Sequence, residues 1–160
     1  MKDLPIRFHV LGRGADPSAV LDPAMHTKPR LLIIDYLQLL PNPHVGRRMA
    51  EADAAWVREL KAEAVHRPVA CLLLAQLPDL EVSRPDPRPT LNDYGALGSV
   101  KQHADTVLHI FREEMYRNDN GLDGATELIV AKNRNGTTGF IDLYFYKQWM
   151  RFEDMLDPDR

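Results

Sequence analysis

Two short apolar runs, each closed by one polar residue, constrain the fold of this chain more than any other feature. The first run is Leu31–Ile34, which is followed by Asp35, and the second is Cys71–Ala75, which is followed by Gln76. Neither run alternates between apolar and polar residues, and this pattern is typical of strands that are buried on both faces of a parallel sheet. Because ligands of such sheets bind beyond the carboxyl ends of the strands, Asp35 and Gln76 mark a candidate site.

The segments around these runs predict an α/β architecture. Apolar residues recur at every fourth position between Gly46 and His66, which predicts an amphipathic helix between the two strands. Residues 126–132 and 140–145 alternate more clearly and flank a glycine-bearing turn, which predicts an antiparallel hairpin. We therefore expect a mainly parallel sheet with a C-terminal antiparallel hairpin. Weaker patterns predict strands at 6–11 and 106–111, helices at 16–25 and 98–104, and a proline-rich loop at 78–92.

Composition bounds the class of protein. A chain of 160 residues is long enough for one domain with its own core. The net charge of -3 argues against a bulk electrostatic grip on DNA or on an anionic membrane, but it does not exclude a local basic stripe. The single Cys71 fits a reducing compartment, and neither a membrane-spanning run nor a signal peptide is apparent, so we expect a cytoplasmic protein without a membrane partner. The six histidines lack the spacing of a zinc site.

Four polar side chains could carry chemistry, and each also has a simpler structural interpretation. The Asp35 carboxylate could hold the water shell of a magnesium ion beside nucleotide phosphates, or it could cap the next turn. The Gln76 amide could hydrogen-bond a γ-phosphate or its attacking water, or it could only close a strand. Lys132 and Arg134 occupy alternate strand positions and so point to the same side. They could reach the ATP site of a neighbouring subunit, with Arg134 as an arginine finger, or they could be a solvated pair beside a glycine turn.

Taken together, these pieces resemble DnaB-family replicative DNA helicases, over about residues 5 to 154. The stretch from Leu31 to Leu40 resembles the Walker B strand of that family, and Leu74–Leu77 resembles its sensor strand. Each piece alone is unspecific, whereas their joint order is highly specific. The remaining matches are to the DNA-facing loop (Arg88–Pro89, Asp93, Gly98–Val100, Gln102, Ala104–Asp105), the trans-acting segment (Lys132, Arg134, Asn135, Gly136) and the closing strand (Gln148–Trp149, Arg151–Phe152).

The resemblance implies a partial RecA-like P-loop NTPase domain over residues 1–154, followed by a tail at 155–160. It implies a part of an ATP-driven ring that translocates on single-stranded DNA and unwinds duplex DNA, with ATP and Mg²⁺ as cofactors. The implied partners are single-stranded DNA and either a homo-oligomeric ring or a complete helicase subunit. The implied site residues are Asp35, Gln76 and Arg134 as catalytic groups, Asp35 as metal ligand, Lys132 and Arg134 at the nucleotide, and Gly98 at the DNA.

The sequence departs from the family pattern at three places. No G-x-x-x-x-G-K-[ST] P-loop occurs in it, and the family's catalytic glutamate would lie upstream, so none is assigned. Gly95 and Ala96 stand where the family has arginine and glutamate, and Pro78 and Asp79 stand where it has asparagine and arginine. ATP hydrolysis by this chain alone is therefore not expected. The departures favour an alternative function, a non-catalytic helicase remnant that acts as a binding or accessory module on a ring or on DNA. The retention of Lys132 and Arg134 favours the working helicase, or a subunit that donates a finger to a complete partner.

Without the P-loop half, the outer strands should also expose apolar surface, and we expect the chain to self-associate through it.

Overall fold

The computed structural model describes residues 5–9, 17–40, 49–80, 84–116 and 123–155. These residues fall into two compact units, Met1–Gln76 and Leu77–Arg160. The first unit contains helices α1 and α2 and a two-stranded parallel sheet, β1–β2. Its elements are α1 (Pro17–His26), β1 (Leu31–Ile34), a 3-10 turn (Leu37–Leu39), α2 (Met49–His66) and β2 (Ala70–Leu73).

Helix α2 forms the core of the first unit because its apolar residues repeat at helical spacing. Trp56 is fully buried, and Val57 and Leu60 are only 5% and 4% exposed. The helix ends at His66 because Pro68 follows two residues later, and the residue before a proline is disfavoured in the helical conformation. The main-chain pairing then places Leu31 opposite Ala70 and continues in register to the end of both strands.

One face of the β1–β2 sheet is exposed, so the prediction that both faces are buried is wrong for the described part of the chain. Leu31, Ile33 and Leu72 are 53%, 56% and 47% exposed, whereas Leu32 and Ile34 on the other side are half-buried. Helix α2 packs against β2, and no described element of this unit buries the side chains of the opposite face. The expected exposure of apolar surface is confirmed, and self-association stays a prediction.

The second unit is built on a four-stranded antiparallel sheet in the order β3-β4-β5-β6. The predicted hairpin is confirmed as β4–β5, and the antiparallel part is larger than that hairpin, because β3 and β6 pair with its two outer edges. The elements are a 3-10 helix (Leu91–Leu97), α3 (Gly98–His103), β3 (Thr106–Phe111), β4 (Ala125–Asn133), β5 (Gly139–Tyr146) and β6 (Arg151–Asp154).

Strand β3 supplies much of the core of the second unit through its alternation. Val107, His109 and Phe111 are 7%, 4% and 2% exposed, while the intervening Leu108 and Ile110 are exposed. A strand with period-two side chains buries one face in this way. The buried His109 is the one polar member of this row, which bears on the site described below.

The turn before β4 requires a glycine. Gly124 has a φ of +87°, and a Cβ there would lie 2.8 Å from the carbonyl oxygen of Phe145. The carbonyl oxygen of Gly124 accepts a hydrogen bond of 2.7 Å from the N–H of Phe145, so the two backbones cannot separate without losing that bond. Only a residue without a side chain fits this close approach.

Two element predictions need correction. Residues 6–9 form no strand, because no described strand pairs with them. Ile6 and Phe8 are 63% and 91% exposed. Residues 10 and 11 of the predicted strand lie outside the described residues. The closing strand is interrupted by a 3-10 turn at Lys147–Trp149, after which Met150 takes a left-handed conformation with a φ of 49°. None of the described helices has the length and apolar character needed to span a membrane.

Candidate functional site

Asp35 and Gln76 lie at the same edge of the first unit, as the sequence predicted. Asp35 directly follows β1, and Gln76 lies just beyond the end of β2; both residues are exposed. The parallel pairing extends past β2, because the N–H of Leu74 donates a 3.0 Å hydrogen bond to the carbonyl oxygen of Ile34. The two side chains that could act on a nucleotide therefore both emerge at the carboxyl ends of parallel strands.

Gln38 ties the two strand ends together, and the sequence argument did not assign it this role. Its side-chain Nε2 donates to the carbonyl oxygen of Gln76 at 2.8 Å, and its Oε1 accepts from the N–H of Gln76 at 3.2 Å. The N–H of Leu37, a fully buried residue, donates to the carbonyl oxygen of Leu74 at 2.8 Å. The one available signal was a lone amide within the apolar stretch from Leu37 to Leu40.

The chemistry of this edge is that of one carboxylate and one amide at adjacent strand ends. Asp35 forms no ion pair or side-chain hydrogen bond with any residue that the structure describes, so its oxygens are available to a cation or its water shell. The peptide bond that follows it, to Tyr36, is cis. Within the described ranges, no group of three or more His, Cys, Asp or Glu side chains could hold a metal ion by itself.

Lys132 is engaged inside its own unit. Its Nζ donates to the carbonyl oxygens of Lys101 at 2.8 Å, Gln102 at 3.4 Å and Ala104 at 2.7 Å. These acceptors lie at the end of α3, where helical carbonyls lack partners from the helix itself. The ammonium group therefore caps α3 and links it to β4, a role that the spacing of Lys132 and Arg134 did not reveal.

Arg134 stands one residue beyond β4 and pairs with Asp105. Its guanidinium Nη1 lies 2.5 Å from the Asp105 carboxylate, and its N–H donates to the Asp105 carbonyl oxygen at 2.9 Å. Both side chains are about half exposed, at 51% and 46%. An exposed ion pair of this kind contributes little to stability and is screened by salt.

The segment that leads to Gly98 is fixed by ion pairs. Arg84 pairs with Asp93 at 2.8 Å, and Arg88 forms two hydrogen bonds to Glu127 of β4, at 2.7 and 2.5 Å. A bidentate guanidinium–carboxylate pair fixes the relative orientation of the two side chains in addition to neutralising their charges. These bonds hold the segment 84–93 against the four-stranded sheet just before Gly98.

Gly98 itself borders open space. A Cβ built on it would meet no atom within 4 Å, and the residue is half-buried. Gly95 and Ala96, where the sequence departs from the family pattern, are described only in their backbone, within the 3-10 helix, and Asp79 is exposed. The structure thus places Lys132 and α3, whose first residue is Gly98, in the same unit and in contact.

His109 and Tyr94 form a buried polar pair that the sequence argument missed. The Tyr94 hydroxyl lies 3.1 Å from Nε2 of His109, and Nδ1 of His109 lies 3.1 Å from the carbonyl oxygen of Pro89. The signal was weak, since a lone histidine in an apolar strand is usually only a packed residue. The pair attaches the segment before Gly98 to β3 at two points.

Comparisons with known proteins found a matching family model, curated relatives and solved structures of similar fold. The family model described as DnaB-like helicase C terminal domain matches residues 22–154. The replicative DNA helicase DnaB of Buchnera aphidicola subsp. Acyrthosiphon pisum is 36% identical over 124 residues, which cover 78% of this chain and 27% of that protein. The chain therefore spans about a quarter of the length of this curated relative.

Two solved structures share the fold. A structure described as that of an ATPase domain has a TM-score of 0.78 and 29% identity, over 87% of this chain and 51% of that one. A structure of a DnaB-like replicative helicase, described together with its interactions with primase, gives a TM-score of 0.77 and 29% identity, over 85% of this chain and 35% of that chain. Both support the RecA-like α/β fold, with its parallel and antiparallel sheets. Since the family model matches most of its residues, the chain belongs to the DnaB-like helicase C-terminal domain family.

Proposed function

We propose that this chain is the C-terminal part of the ATPase domain of a replicative DNA helicase, within an ATP-driven ring that translocates on single-stranded DNA and unwinds duplex DNA. The observation that carries the proposal is the match of the family model across residues 22–154, a range that contains all five candidate site residues. A match of this extent supports a ring subunit over the non-catalytic alternative. A role in replication and the single Cys71 also support a cytoplasmic location.

Asp35 and Gln76 are proposed to serve a nucleotide bound at the edge of the first unit. An exposed carboxylate at a strand end fits the water shell of Mg²⁺, and a neighbouring amide fits a γ-phosphate oxygen or the attacking water. When bound, Mg²⁺ neutralises charge that develops on the phosphates. The two side chains supply only part of such a site, because the sequence holds no P-loop, so the phosphate cradle would come from another polypeptide segment.

Arg134 is proposed to act on the nucleotide of a neighbouring subunit. Its guanidinium is 51% exposed and is held by a half-exposed carboxylate, so a phosphate group can compete for it without opening the core. Lys132 is proposed to act at the same nucleotide, but its bonds to three carbonyls support in the first place a role in positioning the strand end that carries Arg134. Gly98, with open space beside its Cα, is proposed to let DNA approach the backbone closely.

The test uses this chain together with a ring of a complete DnaB-family helicase whose own arginine finger has been removed. The chain alone is expected not to hydrolyse ATP, since it lacks a P-loop. Addition of the chain should restore DNA-stimulated ATP hydrolysis to the defective ring, and Arg134→Ala should abolish the restoration, because a finger contributes about 10³-fold or more to turnover.

The matched control is Arg151→Ala, since Arg151 also forms an exposed ion pair, with Glu153, at 2.9 Å. The Arg151→Ala variant should restore hydrolysis to the same extent as the unchanged chain. Restoration that is equally strong with Arg134→Ala would contradict the proposed finger, and a failure of the unchanged chain to restore any hydrolysis would count against a ring subunit.

A further inference from the structure

The imidazole of His109 bridges two points of the segment that leads to Gly98. His109 is 4% exposed and Tyr94 is 8% exposed, and their ring centroids are 5.7 Å apart. One ring nitrogen faces the carbonyl oxygen of Pro89 and the other faces the Tyr94 hydroxyl, each at 3.1 Å. A single side chain of β3 thus holds both ends of the stretch 89–94.

The geometry determines where the protons lie in the neutral state. A carbonyl oxygen only accepts hydrogen bonds, so Nδ1 of His109 must carry the ring proton. Nε2 is then an acceptor, and the Tyr94 hydroxyl must donate to it. Burial raises the pKa of Tyr94, so the hydroxyl keeps its proton at neutral pH.

Protonation of His109 disturbs the Tyr94 end of this arrangement, whereas Nδ1 still donates to the Pro89 carbonyl oxygen. With a proton on Nε2, the Tyr94 oxygen has to accept, and its own hydrogen loses its acceptor in a buried environment. The imidazolium charge is buried as well. Burial lowers the pKa of His109, although the hydrogen bond to Pro89 and the negative charge of Asp93 act in the opposite direction.

In the described part of the chain, charged side chains of the segment, of β4 and of α3 are engaged by other groups. Burial raises the pKa of Asp93, but the hydrogen bonds from Arg84 and Thr90 together outweigh it and lower the pKa below its ordinary value. Asp93 therefore titrates at lower pH than an imidazole. Opposite His109 on β4 stands the apolar Ile129. The engaged groups are Arg84 with Asp93 in the segment, Arg88 with Glu127 of β4, and Lys101 of α3 with the carbonyl oxygen of Leu91.

We propose that His109 and Tyr94 are positioning residues that hold the segment 89–94 against β3 at neutral pH, and that protonation of His109 releases the Tyr94 end of the segment. The segment continues into the 3-10 helix that ends just before Gly98, so its release changes the presentation of the DNA-facing loop. This last consequence rests on the proposed function, whereas the contact itself does not.

Amide hydrogen exchange, followed by NMR on the purified chain from about pH 8 to about pH 5, tests the proposal. The probes are the N–H groups of Thr90 and Asp93, which bond to the Asp93 carboxylate and the Thr90 carbonyl, with amides of β4 as internal reference. Protection factors, corrected for the intrinsic pH dependence of exchange, should fall by about fivefold or more relative to β4 as the His109 ring titrates.

Two variants separate the proposed role from a merely structural one. His109→Gln keeps a donor for Pro89 and an acceptor for Tyr94 but cannot titrate, so it should retain protection and abolish its pH dependence. Tyr94→Phe removes only the hydroxyl and should lower protection at neutral pH by about fivefold. If the His109→Gln variant does not fold, the Tyr94→Phe variant and the ring titration of the unchanged chain still decide the question.

The proposal is overturned if the segment keeps its protection while the His109 ring titrates, or if His109→Gln retains the pH dependence. Fluorescence anisotropy of a labelled single-stranded oligonucleotide is measured separately, over the same pH range. An absence of binding at every pH would count against the proposed function and would leave the exchange result to decide the role of His109.

Discussion

The two units of this chain present their candidate residues in opposite states. In the first unit, Asp35 is exposed and makes no ion pair with the residues that the structure describes. In the second, Lys132 is bound to three carbonyl oxygens and Arg134 to the Asp105 carboxylate. In the sequence alone, these three residues are of the same kind: each is a charged residue near a predicted turn. A motif therefore specifies only a residue type, while the surrounding chain determines whether that side chain is available to a ligand.

This contrast separates residues that the fold needs from residues that the fold leaves open. A position that is buried or multiply bonded within the chain should cost stability when it is changed, whereas an exposed ion pair such as that of Arg134 should cost little. An open position should cost function alone.

Gly124→Ala should destabilise the second unit by about 3 kcal/mol, because it combines a left-handed backbone with a Cβ clash against the carbonyl oxygen of Phe145. The matched control is Gly98→Ala, where a Cβ would contact nothing within 4 Å, and its effect should stay within about 0.5 kcal/mol. Urea denaturation of both variants measures the difference. Equal effects at the two glycines would break the distinction between engaged and open positions.

Lys132→Met should lower the stability of the second unit by about 2 kcal/mol, since it removes a charged donor from the end of α3. Asp35→Asn should change the stability of the first unit by no more than about 0.5 kcal/mol, because no described residue bonds to that side chain. Hydrogen exchange of amides in β4 and in β2 reports each unit separately. A large loss of protection with Asp35→Asn would show that the carboxylate is structural after all.

Asp53→Asn should stabilise the first unit modestly, by about 0.5–1 kcal/mol at neutral pH. Asp53 is 4% exposed on α2, and burial raises the pKa of its carboxyl group. The folded state therefore binds this proton more tightly than the unfolded state does, and stability falls as pH rises from about 3.9, the ordinary value of an aspartate, through the raised value. Denaturation midpoints measured across this range should decline less in the variant, and an identical pH dependence would contradict the assignment.

The local elements were largely predictable from sequence. Strand β3 matches its predicted range of 106–111, and α1, α2, β1 and β2 differ from prediction by a few residues at their ends. The strand predicted at 6–11 failed at residues 6–9, because an apolar stretch becomes a strand only where another strand pairs with it. The prediction that β1 and β2 are buried on both faces was also wrong, since the described elements cover only one face of their sheet.

The candidate site was predictable in its residue types and only partly in its contacts. The placement of Asp35 and Gln76 at one edge followed from two parallel strands that end together. The hydrogen bonds of Gln38 to Gln76 and the pair formed by His109 and Tyr94 could not be predicted from the sequence, because both join residues that are distant in sequence. The motif match also could not indicate that Arg134 already has an anionic partner in Asp105.

Most of the helices and strands, the hairpin and the family could be predicted from the sequence, because periodicity and motif order are carried by neighbouring positions along the chain. The bonding partners of the candidate side chains, by contrast, depend on the tertiary structure. Lys132 finds its acceptors about thirty residues away, at Lys101, Gln102 and Ala104, and no local pattern encodes that meeting. The physical reason is that hydrogen bonds and ion pairs depend on positions in space, which the packing of strands and helices sets after the local elements have formed.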